Sequence, residues 1–406
     1  MSTAQADWQL PREAGTQRRI VIVVGSLAAG GAERVAATLA NAWESAGHAV
    51  WLVSTYLGVD AHAFPLLAGV SRVSLAEGQP RAELGRWPMM LRKIRALRAV
   101  LRAVDPDVVI SFLTNVNVLA VLAHAGTGIP LIISERTDPA HDPELPRTLR
   151  TARALCYRFA DALVVQTPAA ARRYRARLRG LVRLTVIPNP LAQGLAVSSM
   201  RARQDGEGGC VVAIGRLSRE KGYAKLIQAY ALAFGDDPGW RLRIWGDGPL
   251  REELLNLVGR LQLADRVRLC GLTDDPWAEL AAGQIFALSS EYEGFPNAML
   301  EAMAVGLPCV AFDCPSGPRE LADEGRAAIM IPPGDIDGFA AALRRLADDG
   351  AQRIALGRHA AAYVRGRFAQ ASVMAAWDAL IGQVTLARGR NVSRLRDASA
   401  ARLPPR

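Results

Sequence analysis

Short, unbroken apolar runs alternate along this chain with longer stretches of helical period. The first run, RRIVIVVGSL at 18–27, stops at Gly25 and Ser26, as a strand buried on both faces does. A glycine-rich turn and the helical period of GGAERVAATLANAWESAG follow, closed by Gly47, and HAVWLVSTY supplies the next strand. This order makes a βαβ unit. It continues through DVVISFL, NVLAVLAHAG, PLIISE, a helix around 147–159, ALVVQT, a helix around 168–178 and LTVIPNP. Such alternation predicts a doubly wound parallel sheet.

Turn and polar residues crowd 188–208, which reads as a linker. A second α/β series begins at CVVAIGRL and runs through WRLRIWGDG, VRLCG, IFALSS, PCVAFD and AAIMIPP. The expected fold class is therefore α/β, with two facing Rossmann-like doubly wound domains and an interdomain cleft. The expected boundaries are a flexible N-terminus at 1–18, a first domain at 19–190, a linker at 191–208 and a second domain at 209–365. A closing helix at 366–386 and a basic mobile tail at 387–406 complete the chain. Sheets of this kind bind ligands outside the carboxyl ends of their strands.

Composition narrows the picture. Of 406 residues, half are hydrophobic and 22% charged, which describes a globular chain. The net charge of +10 is concentrated in the first half and the last twenty residues, so the first half is expected to meet an anionic partner. Five scattered cysteines without a CxxC, and five dispersed histidines, indicate neither a disulfide framework nor a zinc site, and fit a reducing cytosol. Residues 1–18 carry no apolar core, so no signal peptide is expected. The uncharged stretch between Asp107 and Glu135 is broken by TNVN, GTG and Pro130, and reads as buried strands and not as a membrane span.

Three segments of the second half converge on the carboxyl edge of its sheet. In IGRLSREKG, Gly215 ends a strand, and Arg216 and Lys221 lie on the turn before a helix, where two cations suit a diphosphate. In WGDGPL, Gly246 opens a loop that lets a ligand approach the backbone. In EYEGFPNAMLEAMAVGLPCV, Pro296 and Asn297 suit a helix start, so the amides around Ala298, Met299 and Leu300 favour an anion. Glu293 in the loop above, and Glu301 in the first turn, are acceptors for sugar hydroxyls. Taken singly, each feature also has a plain reading as surface charge, turn or helix-dipole complement.

GRLSREKG, GDGPL and EYEGFPNAMLEAMAVGLPCVA, in that order, resemble retaining glycosyltransferases of family four, which have the B-type fold. Glu293 and Glu301 match that family's Glu-x7-Glu pattern. GSLAAGGAER is similar to its N-terminal Gly-Gly loop, and IPNP to its interdomain junction, so the resemblance covers about 19–385. It implies an acceptor-binding first domain and a nucleotide-sugar-binding second domain. It further implies that Arg216 and Lys221 bind the donor diphosphate, Glu293 the donor sugar and Glu301 the ribose. Gly30 and Gly31 would let the first domain close over sugar and phosphates. Where many relatives have a histidine after the strand corresponding to PLIIS, this chain has Glu135 and Arg136 in SERTDP. One of these two is expected to contact the acceptor or the transferred sugar, or else to form a structural ion pair. The pattern GGAER, SERTDP, EGFPNAMLEAMA resembles a subgroup that adds N-acetylgalactosamine or galactose to lipid-linked bacterial saccharides.

The expected reaction is retaining transfer of a hexose or N-acetylhexosamine from a nucleotide sugar, with UDP the expected nucleotide. No covalent intermediate, cofactor or metal is required; Asp105 and Asp107 match a metal-binding Asp-x-Asp only superficially. The stretch MMLRKIRALRAVLRAV is amphipathic, with Met90, Ile94, Leu97, Leu101 and Val104 on one face. Arg92, Lys93, Arg95, Arg98 and Arg102 take the rest, and with Arg147, Arg150, Arg153, Arg172 and Arg173 they would attract an anionic membrane surface and a lipid-linked saccharide acceptor. The expected location is cytoplasmic, at the inner face of the membrane. No stacking platform or DNA-binding motif accompanies this charge, so nucleic acid is not an expected partner. The competing readings are a non-catalytic sugar-nucleotide sensor or scaffold, and a same-fold enzyme with a soluble acceptor. The spacing of GSLAAGG disfavours a dinucleotide dehydrogenase.

Overall fold

The computed structural model describes residues 17–27, 30–56, 64–75, 86–139, 145–178, 180, 183–192 and 209–400, with the backbone alone at 86–88 and 390–400. Most of the expected linker (193–208), residues 1–16 and residues 401–406 lie outside the described residues. The chain divides into two compact units, Met1–Ile187 with Met374–Arg406, and Pro188–Val373.

In the first unit, β1 (Arg19–Val24), β2 (Ala49–Ser54), β3 (Ser71–Ser74), β4 (Val108–Phe112), β5 (Leu131–Ser134), β6 (Ala162–Val165) and β7 (Leu184–Val186) form one sheet. Its order is β3-β2-β1-β4-β5-β6-β7 and every pairing is parallel. Between the strands run α1 (Gly31–Ser45), α2 (Arg86–Val104), α3 (Thr114–His124), α4 (Arg147–Cys156) and α5 (Pro168–Arg177). β1, β4, β5 and β6 are buried almost throughout, which is why they read as continuous apolar runs and not as alternations. The edge strand β3, half serine and only four residues long, pairs with β2 alone and carries no hydrophobic signature.

The second unit repeats the plan. Its strands are β8 (Gly209–Ile214), β9 (Trp240–Trp245), β10 (Val267–Gly271), β11 (Ile285–Leu288), β12 (Cys309–Phe312) and β13 (Ile329–Ile331). They are ordered β10-β9-β8-β11-β12-β13, again all parallel. Its helices are α6 (Tyr223–Phe234), α7 (Arg251–Arg260), α8 (Pro276–Ala281), α9 (Asn297–Ala304), α10 (Pro318–Leu321), α11 (Ile336–Asp348) and α12 (Gly350–Arg367). Short polar side chains start several of them: Asp275 Oδ1 accepts from Ala278 N at 3.0 Å, and Asp349 Oδ1 from Gln352 N at 2.8 Å.

The last helix, α13 (Gln370–Ala400), starts later and runs further than the expected 366–386. Its buried positions Val373, Trp377, Leu380, Ile381 and Val384 end the apolar period, but the alanines and arginines beyond are good helix formers and carry it on. It belongs to the first unit from Met374 onward. There Trp377 meets Trp43 edge to face at 6.2 Å, Trp43 Nε1 donates to Asp378 at 2.9 Å, and Arg388 Nε pairs with Asp161 at 2.6 Å. Among the described residues no helix is long and apolar enough to cross a membrane.

In each sheet the strand order reverses once, between β1 and β4 and between β8 and β11. Adjacent loops diverge there and leave the carboxyl edge open, which is where such sheets bind ligands.

Candidate functional site

The second unit brings Lys221 and Glu293 together at that reversal. The loop after β8 makes a single 3-10 turn, Arg219–Lys221, and ends at Gly222. Gly222 has φ +63°, and a Cβ there would lie 2.1 Å from the carbonyl oxygen of Ser289, so only glycine lets this turn lie against the end of β11. Ser289 Oγ donates to the Lys221 carbonyl at 2.8 Å, and Glu291 N donates to that of Glu220 at 2.8 Å. The turn is thereby clamped to the loop that carries Glu293.

Across this seam Lys221 Nζ donates to Glu293 Oε1 at 2.6 Å. The carboxylate is 9% exposed and the lysine side chain 24%. Ser290 Oγ donates to the same Oε1 at 2.7 Å. Burial works against the Lys221 ammonium, but Glu293 beside it, with Glu220, outweighs burial and raises its pKa above the ordinary value. The buried Tyr223 phenol is held neutral by burial and by the same two carboxylates. The Cys314 thiol, just past β12, is pushed up to about 12 by burial and by Glu293.

Gly215 and Gly246 end neighbouring strands in close contact. Gly246 has φ +134°, and a Cβ on it would fall 2.0 Å from the Gly215 carbonyl oxygen. Arg216, by contrast, is exposed and forms no ion pair among the described residues. It is the one predicted phosphate ligand that the fold leaves unanchored.

Helix α9 begins at Asn297, with Pro296 before it. Glu301 is therefore its fifth residue and lies beyond the first turn, which corrects the expected position and removes the simple reading as a dipole complement. The expected set of amides is corrected too: Leu300 N already donates to Pro296 O at 3.0 Å, leaving Asn297 to Met299 as the donors outside the i→i−4 ladder. Met299 and Leu300 turn their side chains into the core, so they can offer a ligand only backbone. Asn297 Oδ1 accepts from the buried Asn189 at 2.6 Å, which ties the helix start to the segment after β7.

In the first unit Gly30 precedes α1 with an extended φ of −161°, a conformation open to any residue. Its neighbour in space is the flexible Glu33 carboxylate, whose pKa is raised by burial. Gly31 is exposed at the helix start. Glu135 is 1% exposed, and its Oε1 accepts from Thr114 Oγ1 at 2.7 Å and from the Tyr157 hydroxyl. Asn117 completes this buried network, donating to Tyr157 Oη at 3.1 Å and to Ser134 O at 3.0 Å while accepting from Ser111. The network therefore holds Oε1 of Glu135 from within the fold. Arg136 is also buried, 4.6 Å over the Phe112 ring; burial lowers its pKa to about 9 against the pull of Glu135, so it is charged at neutral pH.

The expected basic face of α2 is corrected at two positions. Lys93 is 8% exposed with its ammonium 3.5 Å over Tyr56, and burial lowers its pKa. Arg98 donates to the carbonyls of Ala123 (3.1 Å) and Ala125, closing the C-terminal end of α3. Arg92, Arg95 and Arg102 remain outward, beside an exposed Leu91. Elsewhere Arg153 is buried against Tyr174, and Arg173 pairs with Asp138. Asp105 and Asp107 are engaged by Arg19, through its guanidinium (2.9 Å) and its backbone N–H (2.8 Å).

Sequence reasoning passed over Ser289, Ser290, Tyr223 and Asn189. The one available signal was IFALSS, an apolar strand that ends in two hydroxyls.

Two doubly wound units, one with a partly buried lysine–carboxylate pair and a helix start at the reversal of its sheet, define the class of the B-type fold. Residues 29–192 match Glycosyltransferase Family 4 and residues 208–349 match Glycosyl transferases group 1, so the chain belongs with the glycosyltransferases of this fold. It is 33% identical to the exopolysaccharide phosphotransferase SCO2592 of Streptomyces coelicolor over 72% of its length, but spans only 30% of that protein. It is 27% identical to a Campylobacter jejuni enzyme over 82% of this chain and 89% of that one. That enzyme is named GalNAc-alpha-(1->4)-GalNAc-alpha-(1->3)-diNAcBac-PP-undecaprenol alpha-1,4-N-acetyl-D-galactosaminyltransferase. Among solved structures, Anabaena Alr3699/HepE, crystallised with UDP and glucose, shares the fold with a TM-score of 0.73 at 21% identity, over 90% of this chain and all of that one.

Proposed function

We propose that this protein is a retaining glycosyltransferase that moves a hexose or N-acetylhexosamine from a UDP-linked donor to a lipid-linked saccharide in bacterial glycan biosynthesis. The observation that carries the reading is the Lys221–Glu293 pair, which sets a fixed cation and a sugar-hydroxyl acceptor side by side at the sheet reversal. The UDP and glucose bound by HepE support the donor class, and the undecaprenol-linked substrate in the Campylobacter name supports the acceptor class. Outward Arg92, Arg95 and Arg102 would hold the first unit against anionic lipid at the cytoplasmic face of the membrane.

In a retaining transfer the new bond forms on the face that the nucleotide leaves, so the main task is to stabilise the departing diphosphate. Lys221, Arg216 and the first amides of α9 supply positive potential fixed before the reaction begins. Losing one such donor costs ~3–4 kcal/mol of barrier. The leaving phosphate oxygen can take the proton of the acceptor hydroxyl, with Glu293 holding the donor sugar and Glu301 the ribose. These cations do the work a divalent metal would otherwise do.

The test is nucleotide release from a panel of UDP- and GDP-sugars, with and without bacterial lipid extract and with and without EDTA. The expected result is release from one UDP-sugar that needs lipid, survives EDTA and falls at least a hundredfold in Glu293→Gln, as ~3 kcal/mol implies. If folded wild type and Glu293→Gln are equally silent with every donor and acceptor, the catalytic reading fails and the sensor reading replaces it.

A further inference from the structure

Glu293 takes both of its protein hydrogen bonds on one oxygen. Lys221 Nζ and Ser290 Oγ each donate to Oε1, at 2.6 and 2.7 Å, and among the described residues Oε2 accepts from no protein group. A carboxylate oxygen offers about two lone-pair sites, so Oε1 is filled and Oε2 is left for a group from outside. The two donors differ in what they can fix. An ammonium on a flexible four-carbon stem supplies charge but little direction. The Ser290 hydroxyl sits on a short side chain, 1% exposed and three residues before Glu293 on the same loop, so its position sets the rotation of the carboxylate. Ser289 beside it fixes the backbone of Lys221 in the same way, so the two hydroxyls that end β11 hold both halves of the pair.

From this we infer that Ser290 is a positioning residue for sugar recognition: it holds Glu293 so that Oε2 meets a hydroxyl of the donor sugar. Ser290 has no part in holding the diphosphate, which falls to the cations and the α9 amides. The inference rests on the reading of Glu293 as the acid that holds the sugar. It divides donor recognition between two sets of groups that one variant can separate.

The experiment is titration calorimetry of the full chain with UDP alone and with UDP-glucose, UDP-galactose and their N-acetylated counterparts, comparing wild type with Ser290→Ala. Losing a hydrogen bond to a charged group should weaken the preferred UDP-sugar about tenfold. UDP alone should change by less than about twofold, and its binding reports that the variant is folded. Equal weakening of both ligands, or none of either, overturns the positioning role. A wild type that binds neither UDP nor any of these sugars overturns the proposed function, and this inference with it.

Discussion

Lys221 stands between opposing influences: burial disfavours its charge, and the carboxylates of Glu293 and Glu220 favour it more strongly. Because its pKa ends above the ordinary lysine value of 10.5, the stability its pairing contributes is complete below that pH, and is lost only as pH rises through the raised value. UDP binding should therefore show no loss attributable to Lys221 between about pH 7 and 9.5. Lys221→Met should weaken UDP binding by about ten- to a hundredfold, the worth of a charged hydrogen bond. A wild-type affinity that falls steeply between pH 7 and 9, measured by the same calorimetry, would contradict the raised pKa. The charged residues of this site were legible because charge next to a glycine turn is unusual in an apolar series. Ser290 was not, because a serine at a strand end is ordinary until the structure shows which oxygen it touches. Glu135 was singled out by its position, yet Thr114 and Tyr157, which donate to its Oε1, lie 21 and 22 residues away in sequence.

At the scale of elements, periodicity located α2 and its buried Leu97, Leu101 and Val104, but it assigned every cation to the solvent side. Lys93 and Arg98 depart because each found a partner on a neighbouring element: the Tyr56 ring for one, the closing carbonyls of α3 for the other. If the outward arginines hold the membrane, reversing Arg92, Arg95 and Arg102 to Glu should abolish pelleting with phosphatidylglycerol vesicles. At about 1 kcal/mol per basic residue near such a surface, the loss exceeds a hundredfold. Lys93→Met should pellet as wild type does. Unchanged pelleting of the triple variant would remove α2 from the membrane-binding surface. Helix ends followed the same logic: α9 starts where Pro296 and Asn297 predicted, whereas α13 outran its apolar stripe because it holds no proline and its alanines and arginines carry it past Gly382 and Gly389.

For the molecule as a whole, α13 makes the first unit discontinuous in sequence, joining Met374–Arg406 to Met1–Ile187. Trp377, 1% exposed against Trp43 and Phe112, anchors that return. Trp377→Ala should cost ~3–5 kcal/mol and lower the melting temperature of the first unit by roughly 10 °C, followed by calorimetry. A shift of under about 2 °C would show that α13 docks without it. By itself, the sequence determined two doubly wound sheets and singled out the charged residues on the turns at their strand ends. Buried parallel strands must be continuously apolar, and phosphate-binding cations must sit on turns at strand ends, so both leave marks on a linear string. Tertiary structure alone decided which cations face outward, that Glu301 lies past the first turn, and that Ser290 and Lys221 share one oxygen of Glu293. The outward cations and the Lys221–Glu293 contact depend on residues far apart in the chain, and the Ser290 contact on local geometry, where burial and hydrogen-bond geometry act and sequence period does not reach.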